Sequence, residues 1–90
     1  MEAVTCIQGY EAHLACDVTD KDLKAIWYKD DCKITNMEII KDYGLKRMLQ
    51  IKNADLKDSG KYKVQVNHAF REARLGVKRK YFLFIFYNRA

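Results

Sequence analysis

The residues able to act as nucleophiles, bases or soft metal ligands are few: His13, His68, Ser59 and the cysteines Cys6, Cys16 and Cys32. Nucleophilic catalysis needs a hydroxyl or thiol within reach of a base that a third group orients. The two histidines fall on different predicted strands, and no serine or acid is placed to complete such a set. Ser59 is read as a turn residue beside Gly60. The cysteines are ten and sixteen residues apart, with no CxxC pair or histidine cluster, a spacing that does not build a zinc site. Neither Cys6 nor Cys32 has a histidine near it in sequence to depress its pKa, so unreactive thiols are expected. "KDYG" and "GKY" carry too few glycines to cradle a phosphate. No enzymatic activity, cofactor, metal or small-molecule substrate is expected.

The elements that position these residues follow from periodicity. Apolar and polar residues alternate repeatedly over short runs, whereas the three-four spacing of an amphipathic helix does not persist. In "YEAHLACDV", Ala12, Leu14, Cys16 and Val18 share one face. In "LKAIWYKDD" the inward set is Leu23, Ala25 and Trp27. "NMEIIKDYGLKRMLQIKN" predicts two strands joined at "KDYG", with Ile39 on the first and Leu49 and Ile51 on the second. "GKYKVQVNH" places Tyr62, Val64 and Val66 on one face, "EARLGVK" does the same for Ala73, Leu75 and Val77, and "NHAFR" is the hairpin between them. Short strands about ten residues apart with turn signals between them predict an all-β, two-sheet antiparallel sandwich.

One stretch is more specific. In "DLKDSGKYKVQV", Asp58, Gly60 and Tyr62 form an Asp-x-Gly-x-Tyr pattern. The acid suits backbone donors in a turn, the glycine a tight bend, and the tyrosine a buried ring with a hydroxyl reaching back to the chain. Cys16, then Trp27 followed by "YKDD", then "LQI" at 49–51, precede it in order. This constellation resembles an immunoglobulin-like domain of the intermediate set over residues 3 to about 78, and implies a Greek-key sandwich with a core of Cys16, Trp27, Leu49, Ile51, Tyr62 and Val64. The segments "IWYKDD", "RMLQIKNADLKDSGKYKVQV" and "EARLGV" are similar to the intracellular domains of the titin, obscurin and myosin-binding protein C type. That resemblance implies a non-catalytic structural and protein-interaction module of a multidomain sarcomeric or cytoskeletal protein in the cytoplasm, with muscle-filament or cytoskeletal components or neighbouring immunoglobulin domains as partners. The alternative is an extracellular adhesion or receptor domain.

Departures from the family pattern refine the expectation. Val64 stands where the second sheet-bridging cysteine would be, so Cys16 has no bridging partner there; a reducing compartment makes that substitution harmless. No asparagine is followed at two places by serine or threonine, which weighs against the extracellular alternative. The family arginine expected to pair with the turn aspartate is missing near Asn36, so Asp58 is expected to rely on backbone donors. Nothing at the start resembles a secretory signal. Residues 1–78 are taken as the domain, its first strand truncated and a sheet edge left unpaired; residues 79–90 are a basic-aromatic tail or an extension of the last strand.

That tail, "KRKYFLFIFYNRA", sets Lys78, Arg79 and Lys80 before the apolar run containing Tyr81, Phe82, Phe84 and Phe86. The seven apolar residues are far short of the ~20 that span a bilayer. An edge-covering strand, an interaction strand pairing with another chain and an interfacial anchor all remain open. The net charge of +5 comes from seventeen basic and twelve acidic residues scattered along the chain, which argues against a nucleic-acid footprint; a membrane partner is likewise not expected.

Overall fold

The computed structural model describes residues 2–80. Within them, alternation becomes eight strands: β1 (Glu2–Ile7), β2 (Ala12–Asp17), β3 (Ile26–Lys29), β4 (Cys32–Lys33), β5 (Ile40–Tyr43), β6 (Lys46–Ile51), β7 (Gly60–Val66) and β8 (Ala69–Lys78). A single 3₁₀ turn, Leu56–Asp58, joins β6 to β7. The strands form two sheets, one in the order β1-β8-β7-β3-β4 and the other β2-β6-β5. All ladders are antiparallel except β1 with β8, which is parallel from Glu2 opposite Ala73 to Ile7 opposite Lys78.

Turn chemistry fixes three of the connections. Asp30 and Asp31 both have positive φ and form a two-residue hairpin between β3 and β4, the primed geometry whose twist matches the flanking strands. Asn67 adopts φ 55° in the two-residue β7–β8 hairpin, where Val66 faces Ala69; β8 therefore begins at Ala69, several residues before the "EARLGVK" expected from sequence. Gly44 takes φ 61° between Tyr43 and Lys46. Strand β5 starts at Ile40, so Ile39 lies just ahead of the strand it was expected to occupy. Leu23 and Ala25 likewise precede β3, on the loop after β2, and are only half-buried.

The core lies between the sheets. Trp27, Tyr62 and Val64 from one sheet meet Leu14 and Leu49 from the other, with Leu75 and Val77 of β8 alongside. Cys16 and Ile51, expected in the core, are half-buried and pack against this cluster.

Candidate functional site

The Asp-x-Gly-x-Tyr segment ties three strands together. Asp55 caps the 3₁₀ turn, its Oδ1 accepting from the Leu56 N–H at 2.7 Å, while Asp58 Oδ2 accepts from the Asp55 N–H at 2.8 Å, a reciprocal capping box. Asp58 is thus held by a backbone donor, and no ion pair to it is found among the described residues. Tyr62 is buried, and its hydroxyl donates to the Asp58 carbonyl at 2.6 Å. Burial, reinforced by the negative charges of Asp58 and Asp30, pushes its phenol well above the ordinary tyrosine value.

Gly60 takes φ 157°, an angle that favours glycine, and it has a steric part as well. It opens β7, and a Cβ there would lie 2.8 Å from Asp30 Oδ2. The missing side chain lets the Asp30 carboxylate close on the strand and accept from the Lys61 N–H at 3.0 Å. Ser59, the only serine, uses its hydroxyl oxygen to accept from the Val77 N–H at 2.9 Å. Together these contacts fasten the β3–β4 hairpin, the 3₁₀ turn and β8 to one corner of the sandwich.

Arg47 is the buried charge that the sequence reading passed over. It is 2 % exposed, and its guanidinium donates to the carbonyls of Leu23 (2.8 Å), Lys21 (2.9 Å) and Gly44 (2.7 Å). Asp42 lies 3.7 Å from its Nε. A rigid five-donor fork suits such a cage of carbonyls. The signal was legible: Arg47 falls two residues before Leu49 and four before Ile51, on the inward face of β6.

The groups with chemical potential are dispersed. His13 is exposed on β2 with Glu11 3.6 Å away, and His68 sits at the β7–β8 turn. The three cysteines are free. Cys6 is buried, with its Sγ 3.3 Å from the Ile7 carbonyl, and Cys32 is exposed. Burial first, and the charge of Asp17 second, push the Cys16 thiol up. Among the described residues no three histidine, cysteine or acidic side chains cluster to hold a metal ion, and no helix is long and apolar enough to cross a membrane.

A groove of about 680 Å³ opens between β2 and the β7–β8 side of the other sheet, lined by Val4, Leu14, Cys16, Trp27, Val64 and Ala73 among others. Lys78 ends β8 exposed, and beyond it the Lys80 ammonium stands 5.7 Å from the Tyr10 ring centroid. Tyr81, Phe82, Phe84 and Phe86 lie outside the described residues.

This geometry is that of a cross-braced sandwich, and the comparisons agree. A curated relative, the titin homolog of Caenorhabditis elegans, is 35 % identical over 60 residues, 64 % of this chain and 0 %, to the nearest per cent, of its own length. The fast-type myosin-binding protein C of Gallus gallus is 30 % identical over 84 residues, 89 % of this chain and 7 % of its own. The chain therefore spans only a small part of either relative. Among solved structures, domain I81 from titin superposes with a TM-score of 0.74 at 27 % identity, covering 86 % of this chain and 88 % of that one. The family model for the immunoglobulin I-set domain matches residues 1–78. With the corner of Asp58 and Tyr62, the two sheets and Trp27 at their centre, the chain belongs to the immunoglobulin I-set family.

Proposed function

We propose that this domain is a non-catalytic structural and interaction module of a multidomain sarcomeric or cytoskeletal protein in the cytoplasm, where it carries tension and presents its surfaces to other proteins. The relatives' names and the small share of each that the chain spans support this assignment to a muscle assembly of many domains. The observation that carries the mechanical part is the β1–β8 ladder. The two strands run parallel over six register pairs, from Glu2 opposite Ala73 to Ile7 opposite Lys78. In a parallel pair the start of β1 and the end of β8 lie at opposite ends of the ladder. Force applied through Glu2 and Lys78 then runs along the strands and loads all the ladder hydrogen bonds at once. Free Cys16, with valine at position 64 where a bridging cysteine is expected, suits a reducing compartment, because no bond between sheets would be lost there.

Single-molecule pulling tests this reading. Attachment through the two ends should give a rupture force several-fold higher than attachment through Glu2 and the β7–β8 hairpin at His68. The second pair lies at the same end of the ladder, so it opens the hydrogen bonds one after another. Equal forces in the two geometries would exclude β1–β8 shear as the resisting element and remove the support for a tension-bearing role.

A further inference from the structure

The charge that looks scattered in sequence is sorted by the fold. Register places Lys33, Tyr28, Lys63 and Glu72 in one row across β4, β3, β7 and β8, and Lys61 beside Arg74 in the next row on the same face. This is the outer face of the five-stranded sheet, and Lys78 continues it along β8. On the outer face of the other sheet, Lys46 is matched by Asp17 at 3.7 Å, and His13 has Glu11 at 3.6 Å. One face of the sandwich is thus predominantly cationic and the other is close to balanced.

The cationic face is also pre-arranged. The Lys63 ammonium lies 4.8 Å from the Tyr28 ring centroid and 5.7 Å from that of Phe70, so cation–π attraction holds the long side chain between two rings. A side chain ordered before binding loses less entropy when it meets a partner. Phe70 is 60 % exposed and offers apolar surface beside the charge. Lys61 is shared between Asp31 and Glu72, 3.6 Å from each, whereas Lys33 and Arg74 have no acidic partner among the described residues.

We propose that the Lys33–Lys63–Arg74 face of the five-stranded sheet docks an acidic protein segment in extended conformation, a deepening of the interaction-module reading above and resting on it. The spacing suits that occupant. Lys33 and Lys63 stand in one row two strands apart, about 9.6 Å, and Arg74 lies one strand further on in the adjacent row, so an extended segment crossing the strands can set carboxylates against all three. A nucleic acid fits less well: the rings of Tyr28 and Phe70 that would stack bases are already engaged by Lys63.

The probe is a capped ten-residue peptide of alternating glutamate and threonine, titrated into ¹⁵N-labelled full chain at about 50 and 200 mM salt. Amide shifts are expected to concentrate on β3, β7 and β8, with affinity falling as salt rises. K63E with R74E should weaken binding about tenfold. K41E with K46E, the same change in net charge on the opposite sheet, should alter it less than about threefold. Because Lys63→Glu stands opposite Glu72, K63Q with R74Q provides a milder variant, and amide dispersion of each variant confirms folding. Equal weakening by the two glutamate pairs, shifts mapping to β2, β5 and β6, or a ten-nucleotide uridylate binding as tightly as the peptide would each overturn the proposal. So would absence of peptide binding at the lower salt; that result leaves the pulling experiment, and the tension-bearing reading, untouched.

Discussion

At the scale of single residues, the corner built on Tyr62 makes alkaline pH the informative axis. Its folded-state pKa is raised above the ordinary value near 10, so the folded protein holds the phenolic proton more tightly than the unfolded chain. The stabilisation is fully present below about pH 10 and is lost as pH rises from there toward the folded value. Urea midpoints measured from pH 8 to 11.5 should be flat and then fall. Tyr62→Phe should lower stability by about 1 kcal/mol at neutral pH, for the lost bond to the Asp58 carbonyl, and should make the alkaline fall shallower. Gly60 makes a steric claim. Gly60→Ala pushes a methyl against the Asp30 carboxylate and should cost about 1–3 kcal/mol, while Gly76→Ala, whose Cβ meets nothing within 4 Å, should stay within about 0.5 kcal/mol of the parent. Arg47 makes an electrostatic one: Arg47→Met removes the fork and leaves the Leu23, Lys21 and Gly44 carbonyls without it, a loss of about 3 kcal/mol or more in chemical denaturation.

At the scale of elements, what could be read in advance depended on whether a signal was local. The alternation of Ala12, Leu14 and Cys16 and that of Tyr62, Val64 and Val66 show directly which faces point inward, and those strands formed where expected. Strand boundaries depended on turn residues taking left-handed backbone. Asn67 does so at φ 55°, and it set the start of β8 where the sequence alone favoured a longer loop. The β2 edge and the parallel union of β1 with β8 are long-range facts that no local window contains. Arg47 was legible in the alternation of β6, but a cation on an apolar face finds its meaning only when the Lys21 and Leu23 carbonyls from a distant loop arrive. The hairpin reading has its own check. Asn67→Val forces a β-branched residue into left-handed backbone and should cost about 1–2 kcal/mol, whereas Asn67→Gly should be neutral within a few tenths of a kcal/mol; thermal unfolding of the two variants distinguishes them.

At the scale of the whole molecule, the three cysteines turn folding itself into a measurable accessibility. Cys32 is exposed beside the β3–β4 hairpin, Cys16 is half-buried at the groove and Cys6 is buried under its own turn. A chain of 90 residues with this single two-sheet sandwich should unfold as one cooperative unit, since neither sheet retains a covered face alone. Alkylation under native conditions should therefore modify Cys32 quickly and Cys16 slowly, its thiolate being disfavoured by burial. Cys6 should react only at the rate of global opening. Because no sulfur bridges the sheets, the melting temperature should be the same with and without reductant. A drop of several degrees on adding reductant would mean that a disulfide braces the domain after all, and with it the reducing environment proposed for its function would have to be given up. An unchanged melting temperature, with a Cys6 rate that tracks denaturant, would place the strength of this sandwich in its packing and its corner of hydrogen bonds.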